Sequence, residues 1–124
     1  MVSLILIILY AICRSAIDTL LFHFYTSIFN NYNHRWWDPS ISWRNKYISG
    51  DPSKGLKYKF PISFFIFFTD AFHLFNSLSL CLVFTAVVLY NPLTHIYLDV
   101  VIYGVGYNVI FELFFSKIFT KKKV

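Results

Sequence analysis

Three long apolar runs dominate the pattern of hydrophobic and polar positions along the chain. The first extends from residue 2 to about 29, the second from 61 to 90 and the third from 93 to 119. Each is longer than the ~20 apolar residues that a helix needs to cross a bilayer core about 30 Å thick. Barrel strands, which need only ~10 residues with alternating polarity, fit these runs poorly. The pattern predicts an all-α integral membrane protein with three transmembrane helices.

Turn-forming residues separate the runs. Pro61 suits the first turn of a helix, because the missing N–H of proline has no helical partner there. Asn91-Pro92 predicts a turn between the second and third runs, since the residue before a proline is disfavoured in helical geometry. Those two runs are therefore predicted to form a tight helical hairpin. Residues 1–124 form a single membrane domain in this interpretation, with one sizeable loop at about 30–60.

The composition agrees with a membrane protein and disfavours a soluble one. Hydrophobic residues make up 57% of the chain and aromatic residues 22%, whereas only 14% of the residues are charged. A soluble domain typically carries about 25% charged residues. The mean hydropathy of +0.58 points the same way. One soluble core of this size could not bury so much apolar surface.

The basic residues predict an orientation. Of the eleven lysines and arginines, six lie in the 30–60 loop and three in the tail, Lys121, Lys122 and Lys123. Short basic loops stay in the cytoplasm. The N-terminus is therefore predicted to lie outside, and the loop and the C-terminus in the cytoplasm. In this setting the net charge of +5 favours contact with the anionic headgroups of the lipid bilayer, and no nucleic-acid partner is expected.

The loop combines basic and aromatic residues. Tryptophan and tyrosine favour the membrane–water interface, and the loop contains Trp36, Trp37, Trp43, Tyr47 and Tyr58. It is predicted to lie along the cytoplasmic surface. Three of its basic side chains are candidate donors to a lipid phosphate, namely Arg35, Arg44 and Lys46. An aromatic anchor without a headgroup site is the alternative.

Polar residues inside the apolar runs carry the main functional hint. Placing a charged side chain inside the membrane costs roughly several kcal/mol. Such residues therefore usually face a bundle interior, a partner or a water-filled cavity. The predicted intramembrane polar cluster comprises Arg14, Asp18, Asn76, Asn108 and Glu112, together with Asp70 and His73. Arg14 and Asp18 are four residues apart and can pair on one helix face. Asp99 and His95, nearer the outer boundary, are predicted to reach water.

A metal site is one hypothesis for this cluster. At a rise of about 1.5 Å per residue, Asp18, Asp70 and Glu112 are each predicted to lie roughly 10–15 Å from the cytoplasmic boundary. The three carboxylates could then meet in one layer, with His73 about a turn deeper. Carboxylates and imidazoles bind divalent metals, and a bound metal activates water. The predicted ligands are Asp18, Asp70, His73 and Glu112. Asp70 and His73 would then be the catalytic pair of a membrane enzyme acting on lipid.

Two other functions fit the same residues. The polar pairs could fix helix packing alone, which would make the chain a non-catalytic accessory subunit of a larger membrane complex. Alternatively, a homo-oligomer could use the acids and histidines as a proton or ion pathway. The direction of the acids distinguishes these hypotheses. A shared, water-reaching pocket within one chain favours a metal or lipid site, whereas acids that line a subunit interface favour conduction or assembly.

Overall fold

The computed structural model describes residues 1–121, and these residues form an all-helical fold. The α-helices are α1 (Val2–Phe22), α2 (His34–Trp37), α3 (Pro39–Ser42), α4 (Ala71–Val88) and α5 (Ile96–Leu113). Three segments, Val2–Phe22, Ala71–Val88 and Ile96–Phe119, are long and apolar enough to cross a membrane. The prediction of three long apolar helices is therefore confirmed. Lys122 and Lys123 of the predicted basic tail lie outside the described residues.

The long helices are shorter than the apolar runs that predict them. α1 ends at Phe22, and the rest of its run forms two short 3-10 turns, Phe24–Thr26 and Ile28–Asn31. The second run begins as a 3-10 segment over Ile62–Phe68, so α4 starts only at Ala71. Hydrophobicity alone cannot place these breaks, because the residues on both sides of them are apolar.

The third run differs from its prediction at both ends. α5 begins at Ile96 instead of residue 93, and after Leu113 it continues as a π-helical turn over Phe114–Phe119. π-helical turns are rare, and most occur as single turns within α-helices. The continuous helical segment still reaches Phe119, as the sequence predicts.

α1 lies between α4 and α5 and packs against both. Ser3 Oγ lies 2.7 Å from Tyr103 Oη, and further along the helices the rings of Tyr10 and Tyr107 are 5.6 Å apart. α1 and α5 therefore run parallel. α4 runs antiparallel to both, because its first residue, Ala71, packs in one cluster with Leu20 at the end of α1.

Small side chains allow this central position of α1. Its fully buried residues include Ala11, Ser15, Ala16 and Thr19, and small residues let neighbouring helices approach closely. α4 and α5 make almost no contact with each other. The structure therefore differs from the predicted tight hairpin, since the two helices are consecutive and antiparallel but α1 separates them.

The 30–60 loop folds against one end of the three long helices. Trp36 and Trp37 pack on a buried cluster that includes Phe29, and the rings of Phe29 and Trp37 stack with centroids 5.1 Å apart. The backbone N–H of Lys121 donates to the Thr26 carbonyl at 2.7 Å, which brings the end of the described chain to the same side. Two of the loop tryptophans that predict a membrane interface are therefore half-buried against the protein core.

Candidate functional site

Asp70 and His73, the predicted catalytic pair, lie together at the start of α4. Asp70 is the N-cap residue and is 1% exposed. Its Oδ1 accepts the backbone N–H of His73 at 2.9 Å, and its Oδ2 lies 2.7 Å from His73 Nδ1. The hydroxyl of Thr69 also donates to Oδ2, at 3.2 Å. This is the geometry of a helix cap, in which the carboxylate satisfies donors that the first turn leaves free.

Arg14 and Asp18 form an ion pair in the second half of α1. Arg14 Nη2 lies 3.4 Å from Asp18 Oδ1, and both side chains are about two-thirds buried, with 34% and 28% exposed. Tyr107 of α5 lies beside this pair and contacts Tyr10. The pair therefore contributes to the packing of α1 on α5, as four-residue spacing on one helix face allows.

The four predicted metal ligands do not form one group. Among residues 1–121, no three histidine, cysteine, aspartate or glutamate side chains are arranged to hold a metal ion. Asp70 lies before α4, Asp18 lies near Tyr107 of α5, and Glu112 is exposed on α5. Depth along each helix can be estimated from sequence, but the side of the bundle cannot. The separation of α4 from α5 by α1 explains why these ligands do not meet.

Asn108 and Glu112 lie on the outer surface of α5. Both residues are exposed. Asn108 Nδ2 donates to the Gly104 carbonyl one turn earlier, at 2.8 Å, and the hydroxyl of Ser116 donates to Glu112 Oε1. These contacts stay within one helix. Asn76, the remaining member of the predicted cluster, lies half-buried on α4.

A groove follows this surface of α5, and we call it the α5 groove. Its volume is about 460 Å³, and it is lined by Asn108, Val109, Glu112, Leu113 and Lys117. None of the ion pairs among residues 1–121 includes Glu112 or Lys117. The groove therefore presents one acid, one base and one amide outside the fold, on a segment long and apolar enough to cross a membrane.

The predicted headgroup-binding side chains lie on the loop, two of them over aromatic rings. Arg44 lies above the ring of Trp43 and Lys46 above that of Tyr47, each at 5.4 Å from the ring centroid. Arg35 is exposed. These three cations are accessible at the same end of the molecule, and a cation over an aromatic ring suits an interface with one apolar and one wet side.

Two further buried aspartates have structural roles that differ from, or were absent among, the predictions from sequence. Asp99 is 1% exposed instead of reaching water, and it accepts four hydrogen bonds of 2.8–3.0 Å, two from backbone N–H groups and two from hydroxyls. Asp38, also 1% exposed, caps α3 through the Ser40 N–H at 2.9 Å and accepts the Tyr25 hydroxyl at 3.0 Å. Asp38-Pro39 is an N-cap followed by proline at the first helical position, so this sequence signal was present.

The carboxylates thus differ in their surroundings. Asp38, Asp70 and Asp99 are buried and hold the ends of helices or turns, Asp18 pairs with Arg14, and Glu112 faces outward. The chemistry that the arrangement offers is hydrogen bonding and charge pairing with a neighbour. Comparison of the chain with protein-family models, curated proteins and solved structures finds no match.

Proposed function

We propose that this chain is an integral membrane protein that acts as a non-catalytic accessory subunit. It associates in the plane of the membrane with other transmembrane helices through the α5 groove. The observation that supports this proposal is the exposure of Asn108 and Glu112 on a helix with the length and apolar character of a membrane span.

The cost of an exposed acid in lipid supports lateral association. A charged side chain near the centre of a membrane helix costs about 2.5–3.5 kcal/mol on insertion scales. At ~1.5 Å per residue, Asn108 lies near the middle of the Ile96–Phe119 segment and Glu112 about 6 Å further along. A hydrogen-bonding partner would offset part of that cost, at about 0.6–2 kcal/mol for each contact between helices. Association therefore suits this surface better than exposure to lipid.

Catalysis is not the function that these positions favour. Asp70 and His73 hydrogen-bond to each other in a cap whose other donors are the His73 N–H and the Thr69 hydroxyl. A metal-activated water would need three or more ligands on one ion. Asp18 instead pairs with Arg14, and Glu112 points outward.

For the orientation, we propose that the N-terminus is outside and that the loop and C-terminus are cytoplasmic. The loop and Lys121 lie at the same end of the helices, so their positive charges would meet the same leaflet. Arg35, Arg44 and Lys46 would contact anionic headgroups there. Single-cysteine labelling in sealed vesicles tests this. A probe that cannot cross the membrane should react at Asn91→Cys from outside and at Lys54→Cys only after permeabilisation.

Site-specific photo-crosslinking in native membranes tests the association. A photoreactive residue at Val109, in the α5 groove, is compared with one at Val87 on α4; the two positions are 60% and 69% exposed. We expect a polypeptide adduct of defined mass from Val109 only, and its loss when Glu112→Leu is added. If Val109 gives only lipid adducts, as Val87 should, α5 faces lipid and the proposal fails.

A further inference from the structure

The α5 groove carries charges of both signs. Glu112 and Lys117 both line it, five residues apart, and Val109 and Leu113 line the same groove. A partner helix that offered only bases or only acids would satisfy one of these charges and oppose the other. The charge pattern is instead complementary to itself, since the acid of one such surface can meet the base of an identical one.

The membrane restricts how two identical surfaces can meet. Copies of one membrane protein share a single orientation, so a closed pair has its two-fold axis along the membrane normal. Two α5 helices then pack side by side in parallel. In parallel helix pairs, charged residues that flank an apolar seam pair between chains, the acid of one helix with a base about five residues further along the other.

From this complementarity we infer that the occupant of the α5 groove is a second copy of this chain. The inference rests on the proposed lateral association and names its partner. Val109 lies at the seam, and Glu112 of each copy pairs with Lys117 of the other. A Cβ added at Gly104 would meet nothing within 4 Å, so the backbone there is open to a neighbouring helix. Small residues are typical of such close approaches.

Disulfide crosslinking of the full chain tests the inference. The protein is reconstituted in vesicles of phosphatidylcholine and phosphatidylglycerol, with the exposed Cys81 replaced by serine and the buried Cys13 retained. Val109→Cys is expected to form a crosslinked dimer on mild oxidation, because the two-fold axis brings the two copies of this residue together. Val87→Cys, which is at least as exposed, is the matched control and should stay monomeric.

Charge exchange then tests the pairing itself. Glu112→Lys and Lys117→Glu should each reduce the crosslinked fraction by roughly five-fold or more, because each places like charges across the seam. The double variant restores opposite charges and should recover crosslinking. Glu112→Gln, which keeps the size of the side chain, should give an intermediate loss and guards against misfolding as the cause. Full crosslinking in both single variants, or no recovery in the double variant, would overturn the pairing.

The two proposals fail in different ways. If Val109→Cys gives no dimer but the photoreactive residue at Val109 still captures a different polypeptide, the second-copy inference is wrong and the accessory-subunit proposal stands. If neither experiment gives a polypeptide adduct, both are wrong. Dimer formation that depends on both Glu112 and Lys117 supports the second-copy inference and the lateral association on which it rests.

Discussion

Asp99 and Glu112 are both carboxylates of α5, yet their surroundings are opposite. Asp99 is buried and accepts four hydrogen bonds from the turn that precedes the helix. Glu112 is exposed and accepts one, from Ser116 in its own helix. The same chemical group therefore stabilises the fold at one position and is available to a neighbour at the other. Burial and the number of donors, more than the presence of a charge in an apolar run, separate acids that hold the fold together from acids that face outward.

Asp99→Ala is expected to have the largest effect on stability. The substitution leaves two backbone N–H groups and two hydroxyls without their acceptor, so we expect the free energy of unfolding to fall by about 3 kcal/mol. Denaturant unfolding in detergent micelles, followed by tryptophan fluorescence, measures this. Asp51→Ala is the matched control, since Asp51 also accepts the Ser53 N–H and hydroxyl, at 3.0 and 2.8 Å. The control should lose less than about 1 kcal/mol, because water replaces the acceptor in an exposed loop.

Tyr90 provides a second measurement of the same contact. Removal of its hydroxyl from water and its hydrogen bond to Asp99 raise the pKa of Tyr90 above the ordinary value. A pKa that is higher in the folded state gives a stabilising contribution below about pH 10, which is lost as the pH rises through the folded-state value. Asp99→Ala should therefore lower the pKa of Tyr90. Tyrosinate absorbance during an alkaline titration reports it, with Tyr90→Phe identifying the signal. An unchanged pKa would show that the contact does not form.

The ion pair of Arg14 with Asp18 gives the next largest effect. Asp18→Leu leaves the guanidinium of Arg14 unpaired between α1 and α5 and should cost about 2 kcal/mol of unfolding free energy. The double variant Arg14→Leu with Asp18→Leu should lie within about 1 kcal/mol of the wild type, because neither charge then needs a partner. Thermal unfolding of the three proteins in one detergent compares them. A double variant less stable than the single one would contradict a simple pair.

Asp70 should show the energetics of a cap. Asp70→Ala is expected to lower the unfolding free energy by about 1–2 kcal/mol, whereas Asp70→Asn should change it by less than about 1 kcal/mol, because asparagine caps helices nearly as well. The same unfolding measurement in detergent compares the two substitutions. If asparagine were as damaging as alanine, the negative charge next to His73 would matter beyond capping, as the catalytic hypothesis requires.

The sequence predicts some of these features and could not predict others. The length and apolar character of the runs were sufficient to predict three long helices, because a helix that crosses a membrane must be about 20 residues long and mostly apolar. The four-residue spacing was sufficient to predict the ion pair of Arg14 with Asp18, since both residues lie on one helix. The Asp70 cap was missed because the apolar run hides the start of α4, so Asp70 was placed inside a helix.

Contacts between helices could not be predicted from the sequence, and the reason is physical. The metal hypothesis required α4 and α5 to face each other, and consecutive helices with a short turn are usually neighbours. The small side chains of Ala11 and Ser15 allow α1 to take the central position instead. Asn108 and Glu112 are four residues apart and share one face of α5, but only the packing of α1 decides that this face is the outer one.

Glu112→Leu is expected to have the smallest effect on stability, and it tests most directly whether Glu112 and Asp99 differ in role. Glu112→Leu, measured in dilute detergent where the chain is monomeric, should change the free energy of unfolding by no more than about 0.5 kcal/mol. The reason is that Glu112 is exposed and, among the described residues, forms no hydrogen bond or ion pair with another helix. Val101→Leu, at an exposed apolar position of α5, is the matched control. In vesicles, only the Glu112 variant should reduce crosslinking at Val109. If Glu112→Leu instead destabilised the monomer as much as Asp99→Ala, Glu112 would stabilise the fold of its own chain. Its exposure on α5 would then no longer support a partner at this surface.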